Sequence, residues 1–215
     1  MILGIDQSKR STAITALNSN GEIVDCVLIN PGPEYDMEYL VQYQWNHIKE
    51  FIDRQPSVEA IALESLAFGS ISKGYDLLCG IHWYIRTQLL TDYPHLYTGV
   101  ITVTQWRSKI LTAKQAQEYK RIHGGKVGLK YGVLDQIPSI EYDKLSDYLE
   151  SNKERLQVAK GAKAGGSSEK YREYMFDLGD SYGIAKYRLS LIPKKITLNK
   201  RKELTDYFLV KMKNN

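Results

Sequence analysis

Cysteine is almost missing from this 215-residue chain: Cys26 and Cys79 are the only two. Each lies in an apolar segment and neither has the spacing of a metal ligand pair. Two buried free thiols are therefore expected rather than a disulfide. A reducing, intracellular and so cytoplasmic setting is the corresponding expectation. Long hydrophobic runs are missing too. No stretch approaches the ~20 apolar residues of a membrane span. The apolar run that opens the chain is interrupted at Asp6, so a signal peptide is not expected. No internal repeat and no long low-complexity segment is present. Positive charge is scarce in the first half: residues 1–104 hold 6 Lys+Arg against 12 Asp+Glu, whereas residues 105–215 hold 23 against 13. That asymmetry points to a polyanion-facing surface in the second half, and the plainer alternative is lysines that solubilise exposed helices.

What remains is the composition of an ordinary globular protein, 43% hydrophobic and 25% charged. Apolar β-rich runs at 2–6, 12–17 and 22–29 read as strands, and Asn18-Ser19-Asn20-Gly21 is a hairpin turn between the last two. Helical spacing of Met37, Leu40, Val41, Ile48, Phe51 and Ile52 predicts a helix over 36–54 with Asp36 as its N-cap. A fourth strand ends at Glu64. After a loop at 69–74, a second helix continues to about Thr91 and buries Leu77, Leu78, Ile81, Ile85 and Leu89. A fifth strand is expected at 100–103. The pattern weakens from Gln105 through a basic, glycine-containing stretch. A helix is expected over 141–160, then a small, basic segment at 161–168, a long helix from about Ser168, and a short basic helix at 198–212. One layered α/β sheet accommodates this order, an antiparallel hairpin followed by helix-linked parallel strands.

Four acids stand out against that frame. Asp6 and Glu64 each end an apolar strand-like run, and Asp177 and Asp180 sit three apart on the last long helix. Core packing does not explain a carboxylate at the end of a buried strand, because burying an unpaired charge is costly. Residues i and i+3 share a helix face, so the two aspartates can aim together. Hard cations such as Mg²⁺ or Mn²⁺ neutralise oxygen-only clusters of this kind. Two such ions per site can clamp a phosphodiester during hydrolysis. The alternative is that these are ordinary surface or capping carboxylates.

In this order, the segments Ile2-Leu3-Gly4-Ile5-Asp6, Ala60-Ile61-Ala62-Leu63-Glu64 and Asp177-Leu178-Gly179-Asp180-Ser181-Tyr182-Gly183-Ile184-Ala185 resemble the metal-binding strands and final helix of the ribonuclease H-like superfamily. The closest likeness is to its RuvC-type Holliday junction resolvases. Gly80, on the second helix, resembles the family's tight helix packing. The match covers residues 1–104 and 168–190, and the Trp106-Arg107 element resembles resolvases of bacterial viruses. The resemblance implies a ribonuclease H-like fold with a five-stranded mixed sheet flanked by helices. It implies a single domain over 1–215, with a basic insertion at about 105–167 and a basic tail at about 194–215. It further implies a homodimeric endonuclease that nicks four-way or other branched DNA in pairs, with 5′-phosphate products. Asp6, Glu64, Asp177 and Asp180 would then bind two Mg²⁺ ions, for which Mn²⁺ can substitute.

The family carries an aromatic three residues after the glutamate that unstacks junction bases. Position 67 here is Ala, and Phe68 follows one step later. Phe68 is thus a candidate DNA contact beside Lys9, Arg10, Lys73, Arg107, Lys109, Lys126 and Lys130. Each has a plain structural alternative: solvated turns for Lys9 and Arg10, packing for Phe68. Trp106 reads as a core anchor, His82 as structural and His123 as loop decoration. The helix bearing Leu77 to Leu89 also carries His82, Trp83, Tyr84 and Arg86, and is a candidate dimer surface. Other readings stay open: an RNA-processing nuclease of the same superfamily, or a catalytically silent nucleic-acid-binding module. A sugar-kinase-like ATPase would need a duplicated domain and glycine-rich phosphate loops, which the sequence lacks.

Overall fold

The computed structural model describes residues 1–31, 36–55, 57–66, 75–159 and 168–192. Phe68, Lys73, the loop expected at 69–74, the segment at 161–167 and the basic tail with its expected helix at 198–212 lie outside the described residues.

Five strands make one mixed sheet: β1 (Ile2–Gln7), β2 (Thr12–Leu17), β3 (Ile23–Ile29), β4 (Ala60–Glu64) and β5 (Tyr97–Ile101). Their spatial order is β3-β2-β1-β4-β5. β1 pairs antiparallel with β2 and parallel with β4, and β4 pairs parallel with β5. The β1–β4 register runs Gly4↔Ala62 and Ile5↔Leu63. Asp6 and Glu64 are therefore the next residues on adjacent strands, at the same end of the sheet.

Side chains alternate across a strand, so each strand sorts its residues between two layers. On one face, Leu3, Ile5, Ile14, Ile61 and Leu63 pack against helices α1 (Met37–Asp53) and α2 (Tyr75–Asp92). Burying each such side chain is worth about 1.5–3 kcal/mol. The other face carries Gly4, Asp6, Ala13, Thr15, Ala62 and Glu64, and helix α8 (Ser168–Leu191) crosses it. Small residues permit that crossing. A Cβ on Gly4 would lie 2.2 Å from the Ser181 carbonyl oxygen and 2.4 Å from the Ala185 amide nitrogen. Thr15 Oγ1 and Ser181 Oγ share a buried hydrogen bond of 2.7 Å at the same contact. Asp177, Asp180, Ser181, Ile184 and Ala185 recur at helical spacing, which turns both aspartates toward the sheet.

The first helix matches its expected bounds, and Asp36 caps it by accepting from the Tyr39 amide at 2.8 Å. The fifth strand does not match. It occupies Tyr97–Ile101 rather than 100–103, because Thr102 and Gln105 form a capping box that starts helix α3 (Val103–Ile110). The weakly patterned stretch beyond is helical: α4 (Ala113–His123) begins at a second capping box, Thr112 with Gln115, and α5 (Gly125–Asp135) follows. The helix expected over 141–160 is two, α6 (Ser139–Ser151) and α7 (Lys153–Ala159), separated at Asn152. Both cysteines are free thiols, Cys26 buried and Cys79 partly so. Among the described residues no helix is long and apolar enough to cross a membrane.

Candidate active site

The four acids come to one end of the sheet, under α8. Asp6 and Glu64 stand at the ends of β1 and β4, and Asp177 and Asp180 hang over them from the helix. Asp180 is the most enclosed, 4% exposed, and its buried Oδ1 has no hydrogen-bond partner. Burial, then the charges of Glu64, Asp180 and Asp177, hold the Asp6 carboxyl well above the ordinary carboxylate range, and Lys130 opposes them. Burial and the charge of Asp180 push the Glu64 carboxyl up to about 7, against the pull of Trp106, Arg107 and Lys130. Like charges crowded in a low dielectric raise one another's pKa in this way.

Three neighbours orient the acids. Trp106, fully buried on α3, donates its indole N–H to Glu64 Oε1 at 2.9 Å. Gly183 of α8 makes room for that indole, since a Cβ there would lie 2.7 Å from the ring. Ser11 donates its hydroxyl to Asp177 Oδ2 at 2.7 Å. Gln7 donates to the Glu64 carbonyl at 2.6 Å and bonds His82 Nδ1 at 3.0 Å, which ties β1, β4 and α2 together behind the site. His82 is thus a buried structural residue, and its pKa is lowered by burial and by Arg86.

Two cations close the cluster. Arg107 of α3 lies 3.6 Å from Asp180 Oδ1, with its guanidinium 4.7 Å from the Trp106 ring centre. Lys130 of α5 places Nζ 3.3 Å from Asp180 Oδ2 and 3.6 Å from Asp177 Oδ1. Burial pulls the Lys130 pKa down, but Asp180, Asp177 and Asp6 overcome it and the net shift is upward. No three acidic, histidine or cysteine side chains of the described residues close on one metal-sized point. The donor set nevertheless suits a hard divalent ion: four carboxylates, two of them driven toward protonation by burial and by neighbouring carboxylates, and one buried oxygen without a hydrogen-bond donor.

The remaining candidates are spread around this cluster. Lys9 and Arg10 are exposed on the turn between β1 and β2, which Ser8 braces by donating its hydroxyl to the Ser11 carbonyl at 2.6 Å. Lys109 and Lys126 are exposed on α3 and α5. His123 ends α4 and stacks on Tyr131 at 4.4 Å between ring centres, so it belongs to a helix pair rather than a loop. Sequence reasoning missed Ser11 as a partner of Asp177 and Trp106 as a donor to Glu64. It named Lys130 and Arg107 but as DNA contacts, without placing them beside the acids.

No protein-family model matches the chain, and no curated protein matches it significantly. Solved structures do. T. thermophilus RuvC in complex with Holliday junction substrate superposes with a TM-score of 0.51 at 12% identity, over 86% of this chain and 90% of that one. The yeast mitochondrial Holliday junction resolvase Ydc2 gives a TM-score of 0.48 at 13% identity, over 94% of this chain and 83% of its own. The chain has the ribonuclease H-like fold of the RuvC-type resolvases, a five-stranded mixed sheet flanked by helices.

Proposed function

We propose that this chain is a divalent-metal-dependent DNA endonuclease that resolves four-way junctions by paired phosphodiester hydrolysis. The gathering of Asp6, Glu64, Asp177 and Asp180 at one end of a RuvC-like sheet carries the reading. These four carboxylates would hold two Mg²⁺ ions, with Mn²⁺ as a substitute. Ions held by these carboxylates would supply Lewis-acid activation of a water and charge stabilisation of the leaving 3′ oxygen, and the expected products carry a 5′ phosphate. The chain's own groups fix the geometry. Trp106 holds one oxygen of Glu64, Ser11 holds one oxygen of Asp177, and the small residues of α8 set the height of both aspartates above Asp6. Lys9 and Arg10 on the adjacent turn, with exposed Lys109 and Lys126, supply phosphate contacts that position the nucleic acid without reading its sequence.

Paired nicks on a near-twofold junction call for two matched sites, so the proposed working unit is a homodimer. Helix α2 is its candidate surface. Trp83 and Leu90 are each 56% exposed there, seven residues apart on one face, with the Arg86 guanidinium 5.0 Å from the Trp83 ring centre. Two free cysteines fit action in a reducing cytoplasm.

The test offers the purified protein a four-way DNA junction, a fork, a linear duplex and an RNA hairpin in Mg²⁺ at one stated salt concentration. Symmetric cutting of the junction is expected, with none in EDTA. Asp6→Asn should abolish cutting and leave junction binding intact or tighter, because it removes a ligand and a negative charge. Preference for RNA would replace the resolvase reading with an RNA-processing one, and binding without cutting by the parent would make the chain a silent module.

A further inference from the structure

The ammonium of Lys130 stands where an ion shared by Asp177 and Asp180 would stand, close to one oxygen of each. Its placement is built into α5. Gly128 faces α4, where a Cβ would lie 2.2 Å from the Tyr119 carbonyl oxygen, and Gly132 faces the Tyr119 ring in the same way at 2.7 Å. These glycines lay α5 flush on α4. At ~100° per residue, position 130 is turned about 200° from Gly128, onto the face that packs on α8. The Lys130 side chain passes Phe176 of α8, with Nζ 5.7 Å from the ring centre, and ends among the acids.

We propose that Lys130 is an internal counter-cation that occupies a metal position in the free protein and must withdraw for an ion to bind. The inference rests on the metal-site reading above. An ion there sits ~2.0–2.1 Å from its oxygens, too close to both aspartates to share the space with an ammonium 3.3 and 3.6 Å from them. Of the two cations at the cluster, Lys130 is the one able to leave. Its side chain is 34% exposed on a flexible four-carbon stem, whereas Arg107 is 18% exposed and held over Trp106. The device lets the acids fold together without metal and sets a threshold on metal binding.

The experiment measures Mn²⁺ binding to the intact, DNA-free protein by electron paramagnetic resonance, beside thermal melting in EDTA. The variants are Lys130→Met, Lys130→Gln, Lys130→Arg and Asp6→Asn. Neutralising Lys130 by either Met or Gln should tighten Mn²⁺ binding at least about tenfold and lower the melting temperature in EDTA. Lys130→Arg, which keeps the charge, should bind Mn²⁺ within a fewfold of the parent. Unchanged or weaker Mn²⁺ binding in both neutral variants, while Asp6→Asn weakens it, overturns the proposal and leaves the metal site standing. Absence of specific Mn²⁺ binding in the parent and the neutral variants alike overturns the metal-site reading, and the proposal falls with it.

Discussion

Glu64 makes the metal-free protein's stability depend on pH in a direction opposite to that of a paired carboxylate. Its pKa rises from 4.5 to about 7 on folding, through burial and the charge of Asp180. Between those values the folded state holds a proton that the unfolded state has released. Stability therefore falls as pH rises from about 4.5 to about 7 and is flat on either side, with respect to this group. The gap is worth about 3 kcal/mol at most. Glu64→Gln removes the ionisation and keeps an oxygen to accept from Trp106. In urea denaturation with EDTA, the variant should match the parent near pH 4 and exceed it by up to about 3 kcal/mol near pH 8. Saturating Mg²⁺ should shrink that advantage, because only the parent retains the full ligand set. Trp106→Phe provides a second arm. It removes the donor that lowers the Glu64 pKa, so the parent's transition should move to higher pH in that variant. A parent-minus-variant difference that stays level from pH 4 to 8.5 would refute the account of Glu64 as a crowded, buried acid.

Two further outcomes follow from contacts elsewhere. Gly4→Ala sets a Cβ against backbone atoms of α8 that have no rotamer to yield, so it should cost about 2–3 kcal/mol in urea unfolding and slow cleavage by shifting Asp177 and Asp180 away from Asp6. Replacing the exposed Lys109 and Lys126 together with Glu should weaken junction binding and flatten its dependence on log salt by up to about 2, measured by fluorescence anisotropy across a salt series, while the metal-free melting temperature stays put.

How much of this was legible in the sequence divides along physical lines. Strand ends announce themselves locally: Asp6 and Glu64 each close an apolar run, and the element order allows their strands to be neighbours in one sheet, which the β1–β4 pairing realises. The i, i+3 spacing of Asp177 and Asp180 likewise needs nothing beyond helix geometry. The helices between β5 and α8 were harder to see because their apolar stripes are thin; among the described residues α4 buries none of its own side chains. Their starts were nonetheless written in the chain. Thr102 with Gln105 and Thr112 with Gln115 are both capping boxes, and reading them would have moved the end of the fifth strand back to Ile101.

Lys130 marks where local reading ends. Its sequence neighbourhood is glycine and lysine, which reads as a solvated or phosphate-binding loop. Whether its ammonium meets water, DNA or the chain's own acids depends on which face of α5 the glycines present to α4, a choice made by close packing against Tyr119 and not by any local propensity. The same holds for Trp106. Its burial was predictable, but the direction of its N–H depends on Gly183 leaving a gap in α8 that aims the indole at Glu64. Lys130 reaches the acids because glycines of its own helix seat α5 against α4, and Trp106 does so because a glycine of α8 leaves room for its ring. The acids can be found one strand at a time, whereas the groups that tune them exist as such only after α3, α5 and α8 have packed.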